Sequence, residues 1–322
     1  MGILTEDQRI IKSQVKRMAE EHLLPIVSKL DEEEKQLPFE IWDLFHEMGL
    51  LTHVIPEKYG GTEDSSSTTM CIMLEELSKV CLSSALSCLS SALVETALLH
   101  GGTEEQKKYY FKRILGKRTI GSICVTEPGC GSDAAAIKMQ AEKTGSAYRI
   151  KGTKTFITNG NIADLYLTWA VTDKSKKTHG ISCFIVEKGT KGLSVGKKEK
   201  KMGLRASPTT EVIYDDVTVP EQNLLGGIEG NGFQFLMEAF DVTRVAMGAL
   251  AVGLSQGAID FAINYCKNRE SFGIPIIKHQ GIGFLLAEMV TLNEAARALV
   301  YSVAEKYDNG ETKIAKLASM VK

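Results

Sequence analysis

One stretch decides the fold of this chain, Val125-Thr-Glu-Pro-Gly-Cys-Gly-Ser-Asp-Ala134. Gly129, Gly131 and Ala134 fit the spacing of a dinucleotide-binding glycine loop, which opens a helix inside a strand–helix–strand unit. Here a short alanine-rich link is followed by residues that alternate in polarity, from Tyr148 to Thr158. This context excludes a nicotinamide-binding loop. Two interpretations stay open, an ordinary glycine turn or a turn whose backbone amides approach a ligand.

Helical and strand-like patterns flank this stretch. The residues before it predict helices, the first with Thr5 as its N-cap and Gln8 in the capping-box position. After it, short runs of alternating polarity predict an antiparallel β unit without crossover helices, and helical patterns return from Gly230. We therefore predict an α+β multidomain chain. Its parts are an N-terminal α-helical domain at 1–118, a central antiparallel β domain at 119–225 and an incomplete C-terminal helical domain at 226–322.

Composition excludes several classes of protein. The 322 residues carry 38 basic and 40 acidic side chains, and this near-balance argues against a nucleic-acid partner. The longest uncharged windows, Val80–Val94 and Val245–Ile259, are shorter than the ~18 apolar residues of a spanning helix, so we predict no membrane span. Seven cysteines without a CxxC pair predict reduced, mostly buried thiols, and the histidines show no metal-ligand spacing. The charged run Lys197–Lys201 is interpreted as a solvated loop rather than a phosphate site.

Two segments in the predicted β domain hold candidate ligand-binding residues. Thr126 and Ser132 would add hydroxyl groups to the glycine turn. Phe156 and Thr158 are two residues apart in a strand and therefore share a face, which suits a flat heteroaromatic ring. The alternative is a core phenylalanine beside a surface threonine.

Two further segments belong to the predicted C-terminal helices. Asp241 and Arg244 can share a helix face, either as ligand-binding groups or as an ordinary i,i+3 ion pair. Arg269, two residues before Ser271, can bind a phosphate or be a surface arginine. The residue types alone leave these alternatives open.

The order and spacing of these segments are more specific than any one of them. Val125 to Asp133 resembles the first signature of the acyl-CoA dehydrogenase family. Further segments resemble that family as well: Ile55-Pro-Glu-Lys-Tyr-Gly-Gly61, Phe156-Ile-Thr-Asn-Gly160, Met202-Gly-Leu-Arg205, Val219-Pro220, Arg269-x-x-Phe-Gly273 and Leu286-Ala-Glu-Met289. The resemblance extends from about residue 5 to the last residue.

The resemblance implies a fold and a cofactor. FAD would lie between the β domain and the C-terminal helices, with Phe156 beside the flavin and Thr158 near its reactive N5. Arg269 to Ser271, with His279 and Gln280, would reach the phosphate and adenosine portion of FAD, typically on a neighbouring subunit. The implied FAD-binding residues are Ile123, Cys124, Val125, Thr126, Gly131, Ser132, Phe156, Ile157, Thr158, Arg269, Ser271, Phe272, His279 and Gln280.

The resemblance also implies a substrate and a reaction. Ser132, Asp241, Thr243 and Arg244 would contact a CoA thioester. A base would remove the proton α to the thioester while hydride leaves the β carbon for the flavin. A short- or medium-chain acyl-CoA would thereby become the trans-2-enoyl-CoA, and electron-transfer flavoprotein would accept the electrons.

The base itself is not found in the sequence. Most family members carry it near the C-terminus, so we expect the glutamate to lie beyond Lys322 and the chain to be C-terminally truncated. Thr243 occupies the alternative base position but has no useful basicity near neutral pH. Glu238 and Glu288 are interpreted as helix-surface or structural acids. We therefore name no catalytic residue.

Two alternatives to dehydrogenation are kept. One is a relative that binds flavin and CoA esters without dehydrogenating them, and the other is a flavin oxidase or monooxygenase on the same fold. The resemblance further implies a homotetramer, built as a dimer of dimers. Its location would be the cytoplasm of a prokaryote or the mitochondrial matrix of a eukaryote.

Overall fold

The computed structural model describes residues 4–311 and 313–322. The chain forms two compact units. One comprises Met1–Ser28, Ser66–Leu86 and Asp241–Lys322, and the other Lys29–Ser65 and Ser87–Phe240. The α-helices of the described residues are α1 Glu6–Met18, α2 Leu24–Glu32, α3 Phe39–Glu47, α4 Ser67–Val80, α5 Leu82–Gly101, α6 Glu104–Gly116, α7 Gly232–Asn268, α8 Gln280–Asp308 and α9 Ala315–Val321. The strands are β1 Gly121–Cys124, β2 Gln140–Thr144, β3 Ala147–Thr158, β4 Leu165–Val171, β5 Ile181–Glu187, β6 Leu193–Lys198, β7 Thr209–Pro220, β8 Glu270–Ser271 and β9 Ile274–Pro275.

Local signals fix the start of α1. The Thr5 hydroxyl accepts from the backbone N–H of Gln8, and the Gln8 side chain accepts from the N–H of Thr5, so the predicted capping box is confirmed. A π-helical segment, Ala19–Leu23, separates α1 from α2. Pro25 is the second residue of α2, and because it has no N–H it cannot continue the hydrogen-bond ladder of the preceding turn.

The seven-stranded sheet of the second unit is mixed. Its order is β1-β4-β2-β3-β7-β6, with β5 paired to β4. Most neighbours are antiparallel, but β1 pairs in parallel with β4, from Gly121↔Leu165 to Cys124↔Thr168. β2 also pairs in parallel with β4, at Gln140↔Val171, so the prediction of a wholly antiparallel unit is wrong for the β1–β4 and β2–β4 pairings. The β2–β3 hairpin lies between β1 and β4 in the chain and supplies the long connection that a parallel pair requires.

Alternation along β4 and β5 divides the core of this unit into two layers. Leu165, Leu167 and Trp169 join the apolar cluster that contains the buried side chains of α5 and α6. Tyr166 and Ala170 join the cluster on the other side, with buried residues of β3 and β7. A side-chain period of two therefore buries β4 on both faces.

Helix packing in the first unit depends on small residues and one ionic network. A Cβ atom at Gly253 of α7 would lie 2.3 Å from the backbone oxygen of Glu75 on α4, so only glycine permits this approach. Arg297 of α8 donates from Nε to Glu75 Oε1 at 3.0 Å, and Tyr301 Oη donates to Glu75 Oε2 at 2.9 Å. Arg297 and Glu75 are both buried, at 7% and 4% exposure, and the network links α4 to α8.

The charged run Lys197–Lys201 is only partly a solvated loop. Lys198 Nζ donates to the backbone oxygen of Glu34, and Lys201 Nζ donates to the oxygen of Ser207. The prediction holds for Lys200, which is exposed outside the strands. It is wrong for Lys197 and Lys198, which end strand β6, although Lys197 is exposed, and it misses the contacts of Lys198 and Lys201.

Among the described residues, two helices are long and apolar enough to cross a membrane by length and composition, Leu82–Gly101 and Gly232–Asn268. The apolar window of the first is 78% buried inside the protein, which is typical of a core helix. The absence of a membrane span stays a prediction.

Candidate functional site

The turn after β1 is open on its glycine side. It is closed by hydrogen bonds from Glu127 N to Cys130 O and from Cys130 N to Glu127 O, at 3.0 and 3.1 Å. Neither Gly129 nor Gly131 has a positive φ. A Cβ atom would meet no heavy atom within 4 Å at Gly129 and only a threonine methyl at 3.7 Å at Gly131. Backbone strain and internal packing therefore do not demand these glycines, which favours the interpretation that a ligand approaches the backbone here.

The segment Ile123–Thr126 presents backbone rather than reactive side chains. Cys124 and Val125 are buried, and burial raises the pKa of the Cys124 thiol to about 11. Thr126 is half-buried, and its carbonyl accepts from Thr155 N at 2.8 Å, which ties the segment to β3. Cys124 is thus a neutral packing residue, and its predicted contact with a flavin would come from its main chain.

Phe156 is held in an unusual backbone conformation. It lies at a register irregularity between β3 and β7 and has φ +57°, although its side chain is bulky. A bulky residue in this region is strained, and such strain concentrates at functional sites. Its side chain is 65% exposed, while Ile157 is 2% exposed and Thr158 is half-buried. The alternative of a core phenylalanine is therefore wrong, and Phe156 and Thr158 occupy the more open side of the strand.

These observations test whether the segments fit a flavin. An exposed aromatic ring offers a flat apolar contact, and the open glycine turn leaves backbone free of side chains. Next to Phe156, the buried hydroxyl of Thr155 has no hydrogen-bond partner in the part of the chain that the structure describes. An unmet polar group beside an exposed aromatic face matches a flat heteroaromatic ligand with polar edges. The residues therefore fit FAD.

A short hairpin in the first unit gathers three of the predicted FAD-binding residues. β8 and β9 pair through Glu270↔Pro275 and Ser271↔Ile274 around a turn at Phe272–Gly273. The Phe272 ring, 96% exposed, meets the His279 ring edge-on at a centroid distance of 6.1 Å. His279 Nε2 lies 3.2 Å from the Ser271 carbonyl oxygen. Arg269 and Gln280 are exposed beside them, so the hairpin offers cationic and polar groups suited to a phosphate.

The predicted thioester-binding residues of α7 form an ion pair. Arg244 Nη1 donates to Asp241 Oδ1 at 2.6 Å, with both side chains about a quarter exposed. Thr243 is buried at 6% exposure. The i,i+3 pair is therefore present, and a contact of these residues with a thioester stays a prediction. On the other unit, Ser132 is exposed on the open turn.

Neither candidate for a replacement base has a special environment. Glu238 Oε1 accepts from Gln234 Nε2 at 2.9 Å, and Glu288 is exposed on α8. The predicted absence of a base among these residues stays a prediction.

Several buried charged groups were not predicted from the sequence, among them Lys154, Glu127 and Glu95 of the second unit. Lys154 and Glu127 form an ion pair with side chains 0% and 9% exposed. Glu95, within apolar helix α5, is 2% exposed, and burial raises the pKa of its carboxyl well above the usual range. A single acid inside an apolar helical run was a detectable signal for Glu95. Nothing in the sequence indicated that Glu127 and Lys154 form an ion pair.

Comparisons with known proteins agree with this geometry. The sequence matches the family models for the N-terminal domain of acyl-CoA dehydrogenase at residues 5–118, the middle domain at 122–217 and the C-terminal domain at 230–322. Cyclohex-1-ene-1-carbonyl-CoA dehydrogenase of Geobacter metallireducens is 40% identical, over 100% of this chain and 84% of that protein.

Solved structures give the same answer. Butyryl-CoA dehydrogenase from Megasphaera elsdenii has a TM-score of 0.94 and 36% identity, covering 100% of this chain and 86% of that one. A chain in the structure of an electron-transferring flavoprotein of Acidaminococcus fermentans has a TM-score of 0.96 and 40% identity, covering 100% and 84%. The chain therefore belongs to the acyl-CoA dehydrogenase family and is an FAD-dependent oxidoreductase that acts on acyl-CoA.

Proposed function

We propose that this protein oxidises a short- or medium-chain acyl-CoA at the α and β carbons to the trans-2-enoyl-CoA and passes the electrons to electron-transfer flavoprotein. The observation that carries the proposal is the exposed, strained Phe156 beside the segment Ile123–Thr126, because it offers a flat surface for a flavin ring. Butyryl-CoA dehydrogenase, a structural relative by name specific for a short acyl chain, supports the substrate class.

The chain's own residues bind and orient in this reaction. Phe156 would pack against the ring of FAD, and Thr158 would offer a hydroxyl at the ring edge. Ser132, which is exposed on the open turn, would contact the CoA thioester. When bound, FAD supplies the hydride acceptor for the β hydrogen. The α proton is weakly acidic, so donors to the thioester oxygen must stabilise the enolate charge that develops as the proton leaves.

Anaerobic mixing of the purified holoenzyme with acyl-CoA thioesters tests this function. Butyryl-CoA and octanoyl-CoA are compared, and mass spectrometry follows formation of the enoyl product. We expect at least one to bleach the oxidised flavin and lose two hydrogen atoms. Bound FAD that no thioester bleaches would instead indicate a binding relative without dehydrogenation. Rapid reoxidation of the bleached flavin by oxygen would indicate an oxidase or monooxygenase.

A cyclic substrate is a second candidate within the same reaction class. It is favoured by the relative of Geobacter metallireducens, whose name specifies a cyclohexene carbonyl-CoA. Cyclohexane-1-carbonyl-CoA therefore belongs in the same comparison. A higher kcat/KM for this thioester than for butyryl-CoA and octanoyl-CoA would replace the straight-chain assignment.

Two partner assignments belong to the proposal. The likeness to a chain from the structure of an electron-transferring flavoprotein supports that protein as the electron acceptor, which an assay of its reduction by the acyl-CoA-reduced enzyme tests. Exposed apolar side chains on α7 and α8 support a homotetramer. They include Leu254, Phe261, Tyr265, Phe284, Leu285 and Leu292. Light scattering should give four chain masses, and a monomer would contradict the assembly.

A further inference from the structure

A buried ion pair contacts the backbone of the segment Ile123–Thr126. Lys154 of β3 is 0% exposed, and its Nζ donates to Glu127 Oε1 and to the Val125 carbonyl oxygen, both at 2.9 Å. Lysine is almost never fully buried unless it is paired, and burial lowers the pKa of this amine. The protein thus keeps a costly group at a position where β3 could hold an apolar side chain.

Glu127 extends the connection to a third part of the chain. Its Oε2 accepts from Lys138 N at 2.8 Å, and its Oε1 accepts from Met139 N at 3.0 Å. One carboxylate and one ammonium therefore fix the end of the β1 segment, the entry to β2 and the middle of β3. Every one of these contacts lies within the second unit.

A buried ion pair is weak grounds for stability, since apolar residues of similar volume are often equally stabilising. The pair does fix the orientation of the peptide that joins Val125 and Thr126. A trans peptide points its C=O and its following N–H to opposite sides. Because Lys154 holds the carbonyl of Val125, the N–H of Thr126 in the same peptide points to the side opposite the Lys154 ammonium group. The second carbonyl, that of Thr126, is held by Thr155 N.

We propose that Lys154 and Glu127 are positioning residues for FAD, and that their ion pair fixes the Val125–Thr126 peptide so that the Thr126 N–H is presented to the flavin. The inference rests on the flavin-binding part of the proposed function. The pair acts through the backbone and itself need not touch the cofactor.

Paired substitutions separate positioning from stability. The double variant Lys154→Met/Glu127→Gln removes both charges and leaves no unpaired buried ion. We expect it to bind FAD about tenfold more weakly, the loss of one well-directed hydrogen bond, and to shift the flavin absorption bands. Its apoprotein should unfold at a temperature close to that of the wild type.

The double variant Lys143→Met/Glu221→Gln is the control. Lys143 Nζ donates to Glu221 Oε1 at 2.6 Å, and this more exposed ion pair lies at the opposite end of β3, next to the Ala147↔Pro220 pairing. This control variant should bind FAD like the wild type. The proposal is overturned if the Lys154/Glu127 variant binds FAD with wild-type affinity and spectrum, or if the control variant weakens FAD binding equally.

Hydrogen–deuterium exchange of the wild-type protein gives a test that needs no variant to fold. Adding FAD to the apoprotein should slow exchange at the Thr126 N–H, while the N–H groups of Lys138 and Met139, already bonded to Glu127, should change little. Unchanged exchange at Thr126 would overturn the proposal. If none of the acyl-CoA thioesters bleaches the flavin of the holoenzyme, the proposed dehydrogenation is overturned, while these measurements of FAD binding are unaffected.

Discussion

Replacing Phe156 by alanine should weaken FAD binding far more than it weakens folding. The side chain is 65% exposed, so of its ~200 Å² about 130 Å² is free to contact a ligand. If a flavin covers half of that area, the lost burial amounts to ~1.6 kcal/mol at ~25 cal/mol/Å². Lost aromatic stacking adds about 0.5–1.5 kcal/mol. The dissociation constant of FAD should therefore rise roughly 30- to 150-fold.

The folding of the variant should change little, because alanine keeps a Cβ atom and thus the same left-handed strain. Tyr109→Ala is the control, since Tyr109 is a similarly exposed aromatic, at 61%, on α6 of the same unit. FAD fluorescence quenching on titration with apoprotein measures the affinity of each variant. If Phe156→Ala binds FAD as tightly as the wild type, or no more weakly than Tyr109→Ala, the placement of the flavin against Phe156 is refuted.

Three further predictions concern the buried groups, and urea unfolding measures each. Arg297→Met leaves Glu75 buried without its cation and should lower the free energy of unfolding by about 3–5 kcal/mol. Tyr301→Phe removes one hydrogen bond to Glu75 and should lower it by about 1.5–3 kcal/mol. Negligible losses of stability in both variants would contradict a stabilising role of this network. Gly253→Ala places a methyl group against a backbone oxygen at 2.3 Å and should cost about 1–3 kcal/mol, and a neutral effect would show that the helices separate freely. Burial raises the pKa of Glu95 above its ordinary value of 4.5, so its contribution to stability is complete below that value and is lost as pH rises toward the folded-state pKa. Glu95→Gln should therefore match the wild type in acid and exceed its stability increasingly at neutral and alkaline pH, and a stability difference independent of pH would contradict this assignment.

The parts of the fold that local sequence determines were predictable. Thr5 and Gln8 form their capping box within one helical turn, so four residues carry the whole signal. The short β-branched and aromatic runs predicted β4 and β5 correctly, and the parity of each side chain in the strand decides which of the two apolar clusters it joins. The prediction that no helix follows the glycine loop was also confirmed, since the three-residue 3₁₀ turn Ala134–Ala136 lies between that loop and β2.

The features that were predicted wrongly or missed depend on contacts between residues distant in sequence. The parallel pairing of β1 with β4 is set by the intervening hairpin, which alternation does not report. Lys154 falls in an alternating strand and is buried only because Glu127, 27 positions earlier, lies beside it. The left-handed backbone of Phe156 arises from the irregular pairing of β3 with β7, and phenylalanine itself gives no sign of it.

The candidate site was predictable only in part, and for the same reason. The residues around Val125 and Phe156 were identified because a family resemblance places them in order along the chain. The turn favours ligand binding because its two glycines have neither a positive φ nor close packing. These properties depend on the folded backbone and could not be predicted from the sequence.

The central claim is that this chain carries a flavin which oxidises an acyl-CoA across its α and β carbons. Stopped-flow reduction of the holoenzyme by butyryl-CoA, unlabelled and deuterated at both carbons, tests it most directly. We expect the thioester to bleach the oxidised flavin and deuteration to slow the bleaching, because both C–H bonds break in that step. A flavin that stays oxidised with butyryl-CoA, octanoyl-CoA and cyclohexane-1-carbonyl-CoA would contradict it.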